Sequence, residues 1–166
     1  VLLGFCAWLF FRSLRFSPPV CVLGALAAAL NGDFFTYACW GLPSVALGAA
    51  GAFLAMAGVM NGLRERGWRM IAWVILGGLG LGQGVMESFD VGGIFSLYVA
   101  LFVIMAAINR ENVGLKELVP SGGKGMGLLV VLALSAGLMA GHALINLMRT
   151  EGKAAVAQQQ QQTKEQ

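Results

Sequence analysis

Between Leu42 and Met60, between Val91 and Asn109, and between Met126 and Met148, not one Asp, Glu, Lys or Arg interrupts the chain. An apolar run of about 20 residues is what a helix needs to cross a hydrocarbon core roughly 30 Å thick. A helix also satisfies every backbone N–H and C=O inside its own segment, as lipid demands. The runs lack the alternation of a half-exposed strand and the single stripe of a surface helix. Composition agrees: 58% of the residues are hydrophobic and 11% charged, against about 25% charged in soluble domains. A water-soluble single domain is excluded, and 166 residues leave little for a separate catalytic domain. The expected fold is an all-α polytopic transmembrane bundle over residues 1–148, with a polar, Gln-rich extracytoplasmic tail over 149–166 that begins a longer segment.

Five full spans are expected: Pro18 to Phe35, Leu42 to Met60, Trp68 to Met86, Val91 to Asn109 and Met126 to Met148. The opening run, Val1 to Phe11, is too short to span and lacks the basic leader and cleavage site of a signal peptide, so it reads as the end of a truncated transmembrane helix. The chain is accordingly expected to be a fragment of a longer protein. Basic residues alternate from loop to loop. Arg12 and Arg15, then Arg64, Arg66 and Arg69, then Arg110, Lys116 and Lys124 occupy the first, third and fifth loops, and the second and fourth carry none. Because cationic loops are retained in the cytoplasm, the segments 31–41 and 87–90 fall on the outer side, with Trp40 and Trp68 at opposite interfaces.

That sidedness sorts the acidic residues. Glu65, Glu111 and Glu117 sit among Arg and Lys, where weak surface pairs suffice to explain them. Asp33, Glu87 and Asp90 have no basic neighbour in sequence and lie at outer span ends. A carboxylate at such depth needs a cation, a proton or water. If the outer turns are adjacent, the three face one cavity and could hold a divalent cation or act as a general base. The competing expectation is that Asp33 caps a helix and the other two are wetted turn residues. His142 and Asn146 lie one turn apart on the last span, with Arg149 near that face at its outer end, suited to a phosphate. Lys153 is a weaker candidate.

Other motifs point to packing. Gly78 with Gly82 and Gly80 with Gly84 repeat at the small-xxx-small spacing that lets helices approach closely in lipid. The cluster lacks the register of a dinucleotide loop, and Gly122-Gly123-Lys124-Gly125 lacks the Ser or Thr of a phosphate loop. Cys6, Cys21 and Cys39 have no metal-ligand spacing. The net charge of +3 is spread over short loops with no nucleic-acid-binding motif.

The stretches Leu23–Phe35, Ala38–Gly41 and Gly84–Tyr98 resemble bacterial YfhO-type membrane proteins, over most of this chain and an early part of those longer ones. Such proteins resemble the C superfamily of integral-membrane glycosyltransferases, which draw sugars from polyprenyl-phosphate donors using acidic residues of outer loops. The resemblance implies a bacterial plasma-membrane location, with Asp33 matching the first outer acidic position and Glu87 and Asp90 the second. The expected function is therefore the membrane core of a polyprenyl-phosphate-sugar-dependent glycosyltransferase. A transporter or flippase-like protein and a non-catalytic scaffold subunit are the alternatives.

Overall fold

The computed structural model describes residues 1–87, 89–110, 127, 129–141 and 145. The described elements are all helices: α1 (Leu2–Ser13), α2 (Pro18–Ala29), α3 (Gly32–Cys39), α4 (Ser44–Arg64), α5 (Trp68–Glu87), α6 (Phe89–Arg110) and α7 (Leu129–Gly141). Three of them are long and apolar enough to cross a membrane: α4, α5, and α6 over Phe89–Ala106.

Among the described residues these three are the spans, and the expectation of five is not confirmed. The expected span from Pro18 to Phe35 is broken. α2 ends at Ala29, and the Asn31 side chain then accepts the Asp33 backbone N–H at 3.0 Å. That bond gives the backbone an alternative to continuing α2, and it caps the first turn of α3. Thr36 Oγ1 donates to the Gly32 carbonyl at 2.8 Å within the new helix. At 12 residues, α2 is about 18 Å long and falls short of the hydrocarbon core. Of the expected last span, 126–148, the described part is residue 127, α7 and residue 145. The tail, 149–166, lies outside the described residues.

The centre of the molecule is the antiparallel pair α4–α5. Gly48, Gly51, Ala55, Gly58 and Gly62 recur on α4 at alternating spacings of three and four, the heptad rhythm of a coiled-coil seam. They meet Gly84, Gly80, Gly77, Trp73 and Met70 of α5 in that order. The contact is backbone on backbone. A methyl group added at Gly77 would lie 3.0 Å from the Ala55 Cα, one at Gly84 3.0 Å from the Gly48 Cα, and one at Gly58 2.5 Å from the Trp73 carbonyl oxygen. Small residues give this approach in lipid, where no hydrophobic force pulls helices together and close packing must do so.

Helix α5 is flanked on a second face. Gly78 abuts Ser135 of α7, and Gly82 lies under Ala136 and Met139. The two glycine pairs read as packing motifs therefore serve two partners: Gly80 and Gly84 face α4, whereas Gly78 and Gly82 face α7. Ser135 is buried there but donates to the Val131 and Leu132 carbonyls of its own helix, so no polar group is stranded. α6 turns straight back onto α5, with Gly92 against Val85 and Gly84. Val99 and Val103 of α6 complete the core formed by Ala52, Ala55, Val59, Val74, Leu81 and Leu132.

The hairpin α1–α2 joins the first half of α4. Leu3 and Cys6 pack with Ala49 and Ala50, and the Phe10 ring lies 5.7 Å from that of Phe53. Its turn is a Schellman motif. Arg15 N–H donates to the Arg12 carbonyl, Phe16 N–H to that of Phe11, and Arg15 takes the left-handed backbone, φ 64.

Candidate functional site

The acidic residues were expected at one end of the bundle, and the helix register bears on each. Contact between Gly84 and Gly48 puts the last turn of α5 beside the first turns of α4. Glu87 is the final residue of that helix. A methyl group at Gly48 would also meet the Phe95 ring at 3.4 Å and Val91 Cγ1 at 3.8 Å, so the start of α6, with Asp90 in its first turn, lies at the same level. Phe34 packs against the Leu3, Cys6, Ala49 and Ala50 cluster, which brings α3 and its first-turn Asp33 to this end of α4. Two segments far apart in sequence thus converge on the N-terminal end of α4, α3 with Asp33 and the α5–α6 junction with Glu87 and Asp90.

Their local settings differ. Asp33 and Asp90 occupy first helical turns, where the exposed N–H groups and the helix dipole favour negative charge. Glu87 sits at a helix C-terminus, where the dipole opposes it. Its Oε1 accepts a hydrogen bond from Gln83 Nε2 at 3.1 Å, one turn earlier on α5. All three residues are exposed. Among the described residues, no three His, Cys, Asp or Glu side chains group so that they could hold a metal ion. The helices carrying Asp33, Glu87 and Asp90 meet, and the three exposed carboxylates are not gathered into such a group.

His142, Asn146 and Arg149, read as substrate-binding, lie outside the described residues, as does Lys153. Two further residues shape this end of the bundle. Gln83 holds Glu87, and Asn31 sets the break that starts α3. The four-residue spacing from Gln83 to Glu87 was visible in the sequence, as was the Asx-turn character of Asn31-Gly32-Asp33. No family model matches the chain, and neither a curated protein nor a solved structure is significantly similar to it.

Proposed function

We propose that the chain is the membrane core of a glycosyltransferase-like protein that works at the acidic end of the bundle on a polyprenyl-phosphate-linked sugar. The observation supporting this reading is the meeting of the Asp33-bearing and Glu87/Asp90-bearing segments at the N-terminal end of α4. Arg64, Arg66 and Arg69 lie at or just beyond the other end of α4, which by the retention of cationic loops is cytoplasmic. The acids then face outward. In this scheme Asp33 removes the proton of an acceptor hydroxyl as its oxygen bonds the anomeric carbon. The bond from that carbon to the phosphate oxygen breaks, and the leaving polyprenyl phosphate carries the electron pair. Arg149 is the proposed phosphate partner.

General-base catalysis contributes about 10²–10⁴-fold. Asp33→Asn should therefore reduce sugar transfer to membrane acceptors by that factor while leaving the membrane level of the protein unchanged. Unaltered transfer would remove Asp33 from the mechanism. A transporter reading has one observation in its favour, the helix break at Leu30–Asn31, since interrupted helices line substrate sites in transporters. Counterflow in proteoliposomes, absent for a transferase, separates the two.

A further inference from the structure

The end of the α4–α5 hairpin remote from the acids carries a groove of a different chemistry. α4 stops at Arg64 with Glu65 as its C-cap, the Glu65 N–H donating to the Asn61 carbonyl at 3.1 Å. Gly67, in the left-handed conformation at φ 66, closes the short turn, and α5 starts at Trp68. Trp68, Ala72 and Leu76 follow one another at four-residue intervals along one face of α5, with Arg69 and Trp73 in the adjacent row. The Trp73 carbonyl lies against Gly58 and its Cβ near Gly62. With Glu65, these residues line an open groove of about 340 Å³.

The groove is graded along its length. Its mouth carries one guanidinium, Arg69, and one carboxylate, Glu65. Trp68, 77% exposed, stands beside them as indoles do at a membrane surface, where one edge is wet and the other apolar. Ala72 and Leu76 lie deeper, Leu76 about 10 Å along the helix axis from Arg69. A charged mouth with paired opposite signs above an apolar floor is the complement of a zwitterionic amphiphile.

We propose that this groove seats the headgroup end of a phospholipid bearing a primary ammonium, of the phosphoethanolamine type, from the leaflet at the basic end of the bundle. Arg69 binds the phosphate, as guanidinium forks do. Glu65 accepts hydrogen bonds from the ammonium, and the start of an acyl chain lies along Ala72 and Leu76. A purely anionic headgroup satisfies Arg69 but leaves Glu65 facing negative charge. A choline headgroup has no N–H to donate. The volume suits a headgroup with its glycerol, being near the lower bound of small-ligand sites, about 300 Å³. The inference rests on the reading of α4 and α5 as membrane spans and is independent of the chemistry at the acidic end.

Native mass spectrometry of the delipidated protein in detergent tests it, using phosphatidylethanolamine, phosphatidylglycerol and phosphatidylcholine of matched chains. The unsubstituted protein should retain the ethanolamine lipid about tenfold better than either other lipid, about 1.4 kcal/mol. Arg69→Gln should lower retention of it about tenfold, and Glu65→Gln should bring it level with phosphatidylglycerol. Equal retention of all three lipids, or a preference that survives both substitutions, overturns the proposal. So does displacement of the lipid by chain-free glycerophosphoethanolamine at matched concentration. Release of the chain from membranes by alkaline carbonate overturns the membrane reading along with it, whereas retention in membranes with no lipid preference overturns this inference alone.

Discussion

The hairpins α4–α5 and α1–α2 solve helix contact differently. In α4–α5 the backbones themselves touch, through glycines and alanines at alternating three- and four-residue intervals. In α1–α2 side chains intervene. The Phe11 ring covers Gly24, and only at Gly4 does backbone come near, where an added methyl would lie 3.1 Å from the Ala29 Cβ and 3.3 Å from the Ala25 carbonyl oxygen. Phe10 fans out to Phe53 and, at 5.6 Å, to Phe102. A rigid carbonyl cannot move aside without shifting a whole helix, but a ring at the end of two torsions can. The first hairpin should be intolerant of added volume and the second forgiving, and that difference can be measured.

The sharpest test is Gly51→Ala. The new methyl would run into the Gly80 carbonyl of α5, and separation of the helices would be felt along the whole seam. The cost should reach about 3 kcal/mol, the upper end of the range for overpacking, measured by reversible unfolding in mixed micelles. Gly82→Ala probes the face of α5 toward α7, where the methyl would lie 2.6 Å from the Ala136 carbonyl oxygen. The methyl meets that carbonyl less closely than the one at Gly51 meets the Gly80 carbonyl, so about 2 kcal/mol is expected. Gly24→Ala should cost about 1 kcal/mol, because the obstacle is the Phe11 ring and alanine recovers helix propensity. Equal losses at Gly51 and Gly24 would break the distinction between the hairpins.

The same contrast explains what was legible beforehand. The expected runs Leu42–Met60, Trp68–Met86 and Val91–Asn109 fall within a few residues of α4, α5 and α6, because unbroken apolar length is a one-dimensional property of the chain. The Pro18–Phe35 run failed where a single side-chain hydrogen bond, Asn31 to Asp33, competed with the helix. The glycine spacing in α5 announced close packing. That Gly80 and Gly78 serve different helices depends on which partners surround α5, which spacing alone does not encode. The alternation of basic loops had set Asp33, Glu87 and Asp90 apart from the other acids, and their helices do meet at one end of α4. Whether exposed carboxylates share one cation depends on ångström-scale side-chain placement, which lies beyond pattern. Glu65 was set aside as one loop charge among several, because its place beside Arg69 in a groove exists only once α4 and α5 are docked.

The smallest effect is expected at the turn of the forgiving hairpin. Arg15 stands at φ 64 in the position that glycine usually takes after a helix, as Gly41 does after α3 at φ 79. A side chain in the left-handed region costs about 1–2 kcal/mol, and glycine there removes that strain but gives back about 0.5–1 kcal/mol of unfolded-chain entropy. The hydrophobic clasp across the turn, the Phe11 and Phe16 rings at 6.2 Å, does not involve the Arg15 side chain and should persist. Arg15→Gly should therefore raise stability by about 0.5 kcal/mol in the same unfolding assay. A loss of stability would mean that the Arg15 guanidinium holds a stabilising contact, and the α1–α2 turn would then depend on charge rather than on its rings.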